Sequence, residues 1–273
     1  MTISDSIAFI GGGNMASAII GGLLKCGVPA TNIQVVEPFE AQRINLNQQF
    51  HVQAHEVPGP GLAEAALVIW AVKPQTFKEA ALQSRLHTQT ALHLSVAAGI
   101  RSDSIARWLG TERVVRAMPN TPALVGKGMT GLFARAAVTP ADRVLVDKVI
   151  APTGEYVWLG DESQLDAVTA LSGSGPAYVF YFIEAMVEAG VAMGLSQQQA
   201  HQLAVGTFVG ASALVQTSSE SPEILRARVT SKGGTTHAAL TSMAQDNVKM
   251  QFIRAMHAAQ QRAHELGDEF GAA

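Results

Sequence analysis

Four apolar residues, Ile7-Ala8-Phe9-Ile10, run straight into Gly11-Gly12-Gly13, and Asn14 opens an Ala/Ile/Leu-rich stretch lasting to about Leu24. A short apolar run closed by a glycine cluster reads as a strand, and the stretch after it as a helix. The join, Gly11-Gly12-Gly13-Asn14-Met15-Ala16, fits G-x-G-x-x-G/A with Ala16 in third place. Gly11 permits the tight turn, Gly13 leaves the backbone open to close approach, and Ala16 lets the helix lie near the sheet. The free N–H groups and positive dipole end of that helix suit a diphosphate. Between a strand and a helix, this join predicts an open α/β sheet with a dinucleotide at the carboxyl ends of its strands, a glycine turn needed only for packing being the alternative.

The remaining pattern extends that sheet. Apolar or β-rich runs recur at 33–36, 67–72, 91–96, 113–117, 129–134 and 155–159, separated by segments long enough for helices such as 75–86 and 101–109. Such alternation predicts a mostly parallel, doubly wound sheet of Rossmann type, covered on both faces. From about Ser163 the chain is helical in composition, with helices expected at 176–194, 197–216, 222–229 and 235–267. The expected organisation is therefore a dinucleotide-binding domain over 1–162 and an all-α domain over 163–273.

Composition bears on how the helical half is covered. Hydrophobic residues make up 48% and charged residues 15%, against roughly a quarter charged in an ordinary soluble domain. Segments 178–195 and 203–215 are apolar on nearly every face, as in helices surrounded by protein. Glu184 and Glu188 argue against a membrane span for the first of them. About 110 residues cannot readily hide two such helices alone, so intertwining with a second copy is expected, a deep monomeric bundle being the alternative.

Other classes are set aside on charge and thiol content. Nineteen Lys and Arg against 22 Asp and Glu leave a net charge of −3, with no basic stripe for nucleic acid. Cys26 is the single cysteine; it fits a reducing compartment and leaves no thiolate zinc cluster. Asp5 precedes the first apolar run and glycines end it, which does not read as a secretory leader. A cytoplasmic protein without membrane contact is expected.

Candidate site residues gather at predicted strand ends. Glu37 closes the second strand, where it either merely ends the strand or accepts from an adenosine ribose and disfavours a 2′-phosphate, with Arg43, six residues on, able to counter it; the choice of nicotinamide cofactor stays open. Ala71-Val72-Lys73-Pro74 ends another strand, placing Lys73 over the same cleft. Small residues Val96-Ala97-Ala98 follow Ser95, and Met118-Pro119-Asn120-Thr121-Pro122 forms a rigid turn beyond the next strand. Two further turns, Ser172-Gly173-Ser174-Gly175-Pro176 and Thr230-Ser231-Lys232-Gly233-Gly234-Thr235-Thr236, each open a helix in the second half. Read singly they are caps; together they would hold a small anion by main-chain N–H groups. His51 and His55 have i, i+4 spacing but no evident third ligand, so surface helix histidines and no metal are expected. His237 reads as a helix-surface residue.

The motifs IGGGNMA, AVKPQ, VAAGI, MPNTPA, ALSGSGPAY and VTSKGGTTHAAL, in this order over nearly the whole chain, resemble those of pyrroline-5-carboxylate reductases. The resemblance implies NADPH- or NADH-dependent reduction of the C=N bond of 1-pyrroline-5-carboxylate to L-proline. It implies an interlocked helical dimer and larger rings of such dimers. By motif, Ile10, Gly11, Gly12, Gly13, Asn14, Met15, Ala71, Val72, Lys73 and Pro74 would contact the cofactor, with Val96, Ala97 and Ala98 beside the nicotinamide. Ser174, Gly175, Gly234, Thr235 and Thr236 would surround the substrate, with Glu162 at the entrance to the helical domain. Lys232 stands where many relatives have proline, and Glu37 where those preferring NADPH have a small or basic residue. Thr236 is expected to hydrogen-bond the ring nitrogen of an already protonated imine. A β-hydroxyacid dehydrogenase is the nearest alternative, but no lysine lies between Gly175 and Leu195 to serve it. A non-catalytic NAD(P)-sensing protein is the other.

Overall fold

A computed structural model describes residues 5–271. They form two compact units, one of residues 5–174 with 259–271, the other Gly175–Ala258. This division differs from the expected one at 162/163, because the segment after Glu162 and the end of the last helix both pack with the sheet-bearing unit.

The sheet has eight strands: β1 (Ser6–Ile10), β2 (Ile33–Val36), β3 (Gln53–His55), β4 (Ala65–Trp70), β5 (Leu92–Ser95), β6 (Val114–Met118), β7 (Gly128–Ala134) and β8 (Gly154–Trp158). Their order is β3-β2-β1-β4-β5-β6-β7-β8. Every neighbouring pair is parallel except β6 and β7. Strand order reverses at β1, so a crevice opens between the carboxyl ends of β1 and β4, where sheets of this type bind ligands. β7 runs back because the turn after Met118 is too short for a crossover helix.

Alternation within the strands explains their unbroken apolar runs. Ile7, Phe9, Leu67 and Ile69 pack on one face with Ile19, Ile20 and Leu23 of α1 (Asn14–Lys25). Ala8, Ile10, Val68 and Trp70 pack on the other with Phe77 of α3 (Pro74–Ser84) and Ile105 and Trp108 of α4 (Ser102–Leu109). Both faces are covered, so every strand position favours an apolar side chain. The unit also holds α2 (Glu40–Phe50), α5 (Pro140–Ile150), α6 (Gln164–Val168) and a π-helical turn at Thr169–Gly173. Thr139 and Asp142 close a capping box that starts α5.

The second unit contains α7 (Gly175–Ala192), α8 (Gln197–Thr217), α9 (Pro222–Arg228), α10 (Thr235–Gln245) and the start of α11 (Val248–Gly271). The helix expected over 235–267 is in fact two, because Asn247 takes a left-handed conformation, φ 54°, which asparagine tolerates and a helix interior does not. Val187, Ala200 and Ala204 form a small core. Phe180, Tyr181, Met193, Leu203, Val209, Leu214 and Met250 stand exposed. Among the described residues no helix is long and apolar enough to cross a membrane.

Candidate dinucleotide and substrate sites

Four adjacent strand ends, those of β2, β1, β4 and β5, are stitched together at the crevice. The N–H of Gly11 donates to Val36 O at 2.8 Å, that of Ala71 to Ile10 O at 2.8 Å, and that of Val96 to Trp70 O at 3.0 Å. Residues Ile10 to Met15, Ala71 to Pro74 and Val96 to Ala98 therefore share one edge of the sheet, as the sequence reading places them.

The glycine turn fits a diphosphate. Gly11 has φ +94°, and a Cβ there would lie 2.7 Å from Ala71 O. Gly13 is extended, with φ −71° and ψ −167°, and caps α1 without any side-chain hydrogen bond. A Cβ on Gly13 would meet nothing within 4 Å. Gly13 is exposed, so there is room beside it at the positive end of α1, the setting an anion requires. Lys73 is the exposed N-cap residue of α3, and Pro74 takes its first position.

Glu37 is only 6% exposed. Its Oε2 accepts from the Gly12 N–H at 2.9 Å and its Oε1 from the Phe39 N–H at 2.9 Å. Arg43 does not meet this carboxylate. Its Nη1 donates to Glu37 O and Pro38 O, and its Nη2 pairs with Glu56 at 3.4 Å.

Glu162, expected beside substrate, is engaged inside the sheet-bearing unit. Oε1 accepts from the Ser102 N–H at 2.6 Å and from Arg116 Nη1 at 2.7 Å, while Oε2 receives the Ser102 hydroxyl. Arg135 Nη1 also reaches Ser102 Oγ, at 3.0 Å. The sequence reading passed over this cluster, although a charge such as Arg116 in an apolar strand requires a buried partner. It also passed over the task of Asn120. That amide donates to Ser172 O at 3.1 Å and accepts from the Met129 N–H at 2.9 Å, pinning the chain just before Ser174 to the strand ends.

Ser174 ends the π turn, its N–H donating to Thr169 O at 2.8 Å, and Gly175 begins α7. In the helical unit Gly234 is the N-cap of α10, with no side-chain cap, and Thr235 and Thr236 are its first two residues. Thr235 is exposed and Thr236 half-buried. His237, Glu184 and Glu188 are exposed. His51 and His55 do not share a helix: His51 is the left-handed C-cap of α2 and His55 ends β3.

Two family models match the chain. A model described as "NADP oxidoreductase coenzyme F420-dependent" covers residues 6–99, the segment that supplies these strand ends. A model of pyrroline-5-carboxylate reductase dimerisation covers residues 162–266. A pyrroline-5-carboxylate reductase of Pseudomonas aeruginosa is 43% identical over 97% of this chain and 98% of its own. The chain belongs to the pyrroline-5-carboxylate reductase family. The solved reductase structure from Coxiella burnetii superposes with a TM-score of 0.90 at 36% identity, over 97% of this chain and 99% of that one. A pyrroline carboxylate reductase of Plasmodium falciparum, solved with NADP bound, does so with 0.87 at 26% identity, over 98% and 100%. As in others of the reductase family, an NAD(P)-binding sheet is followed by a predominantly helical region that self-associates.

Proposed function

We propose that this chain reduces the C=N bond of 1-pyrroline-5-carboxylate to give L-proline, with NADPH or NADH as reductant. The observation that carries the reading is the open cradle at Gly13, on a sheet edge shared by three motif segments, in a chain that matches a reductase over 97% of its length. When bound, the reduced nicotinamide supplies hydride to the imine carbon. The turn from Ile10 to Met15 and the start of α1 hold the diphosphate. Ala71 to Pro74 and Val96 to Ala98 give the ring a wall of backbone and small side chains.

Ser174, Gly175, Gly234 and Thr235 bind the substrate carboxylate through N–H groups and hydroxyls, and the Thr236 hydroxyl holds the ring nitrogen. The imine arrives already protonated, so the protein needs alignment more than a strong acid. Orientation at contact distance is worth about 7–11 kcal/mol. Glu162, held by Ser102 and Arg116, is the remaining candidate for the substrate side in this reading. In this reading residues 1–162 serve the dinucleotide and 163–273 the substrate and the partner subunit.

The bare apolar helices of the second unit support self-association. An open groove of about 810 Å³ lined in part by Phe182, Leu240, Met243, Met250 and Phe252 adds to that uncovered surface. Rings built from dimers are the larger assembly we propose, with no nucleic-acid partner and a cytoplasmic location that suits the lone thiol of Cys26.

Purified protein given pyrroline-5-carboxylate should oxidise NADPH or NADH, followed as loss of nicotinamide absorbance, with proline formed in equal amount. Dinucleotide binding without proline formation would leave a sensing protein instead.

A further inference from the structure

We infer that Glu37 makes the dinucleotide site selective for NADH over NADPH. The inference takes from the proposed function only that the crevice binds a nicotinamide dinucleotide.

The side chain cannot readily withdraw. Both its oxygens are committed to backbone donors, Gly12 N–H and Phe39 N–H, each at 2.9 Å, and the residue is buried. Rotating it out would strand both N–H groups, a costly outcome for buried donors. Gly12 is shaped around it as well, since a Cβ there would lie 3.3 Å from Glu37 Oε2 and 2.5 Å from Leu46 Cδ1. The carboxylate is therefore a fixed wall of the turn, one residue from the Gly13 cradle.

The cation that would offset it is spent. Arg43 donates to the carbonyls of Glu37 and Pro38 at 2.9 and 2.7 Å and pairs with Glu56. The start of α2 is the other feature that would favour an anion. There Phe39 N–H is already bonded to Glu37, and Glu40 occupies the first turn. A dinucleotide with free ribose hydroxyls brings donors to a carboxylate that retains unused lone pairs. A 2′-phosphate brings negative charge to the same place without a free guanidinium to receive it.

The test is equilibrium binding of NAD+ and NADP+ to the unmodified protein without imine, by calorimetry, with the rise in Tm at matched concentrations as a second readout. NAD+ should bind at least about tenfold more tightly and give the larger rise. Glu37→Gln, checked for unchanged circular dichroism, should narrow the gap at least about fivefold, chiefly by tightening NADP+. Should the Gln variant fail to fold, the ratio in the unmodified protein still decides. Equal or tighter binding of NADP+ there, or a folded Gln variant with the same ratio, overturns the inference. Tight NAD+ binding without proline formation would overturn the proposed reaction and leave this selectivity standing.

Discussion

Glu162 is bonded twice to Ser102, taking its N–H at 2.6 Å and its hydroxyl at 2.5 Å. The acid thereby caps α4 from 60 residues away and also holds Arg116, whose Nε is buried without a hydrogen-bond partner. Removing the carboxylate leaves that guanidinium short of two partners.

Glu162→Ala should therefore destabilise the protein by about 2–3 kcal/mol, below the figure for a fully buried pair because the carboxylate is 25% exposed. The Tm should fall by roughly 4–12 °C on thermal unfolding. Glu162→Gln, which keeps one acceptor, should lose less. An unchanged Tm together with a raised KM for the imine would assign the carboxylate to substrate after all.

His93 lies wholly inside the sheet-bearing unit, 1% exposed. Its Nδ1 accepts from the indole N–H of Trp70 at 3.0 Å and its Nε2 faces Thr88 O at 3.2 Å. This is a complete set of bonds for the neutral ring with its proton on Nε2. Burial pushes the pKa down from 6.5 to about 4, against the pull of the Thr88 carbonyl and with help from Arg113. Between those values the unfolded chain binds the extra proton and the native one does not, so stability falls as pH is lowered through that window. From pH 7 to pH 5 the loss from this group should be about 2 kcal/mol. Urea unfolding of wild type and His93→Gln at both pH values measures it, wild type losing more; parallel losses would refute the assignment.

The strands and the glycine turn were legible because each is dictated locally. A strand buried on both faces is apolar at successive positions, as in Leu67 to Trp70, and the turn after Ile10 tolerates few residues besides glycine. β3 escaped notice because Gln53-Ala54-His55 is a short edge strand with two exposed side chains. The break at Asn247 was missed because it uses neither glycine nor proline. Glu162 was seen as a candidate but not placed, since its partners Ser102 and Arg116 are distant in sequence and only the folded sheet brings them together.

Gly11 and Gly13 should respond differently to the same added methyl. Gly11→Ala forces a side chain into a positive-φ position, 2.7 Å from a backbone carbonyl, and should cost about 1–3 kcal/mol of stability. Gly13→Ala meets no protein atom and has backbone angles any residue adopts, so its unliganded Tm should stay within a degree or two, roughly 0.5 kcal/mol. Its Cβ would occupy the approach proposed for the diphosphate, and dinucleotide affinity should fall at least about tenfold by calorimetry. Undiminished affinity in a folded Gly13→Ala protein would move the diphosphate elsewhere.

Thr236 is the second residue of a helix whose N-cap, Gly234, offers no side chain, and its hydroxyl holds no hydrogen bond to another described residue. Truncation to alanine should therefore be nearly neutral for stability, within about 0.5 kcal/mol, and should leave NAD+ affinity unchanged. Turnover with pyrroline-5-carboxylate should drop by around 10²–10⁴ if the hydroxyl handles the ring-nitrogen proton. Thr236→Ser keeps the oxygen and should recover most of the rate, which separates loss of the hydroxyl from loss of the methyl. A full rate in Thr236→Ala would leave the proton to solvent and confine this turn to binding the carboxylate.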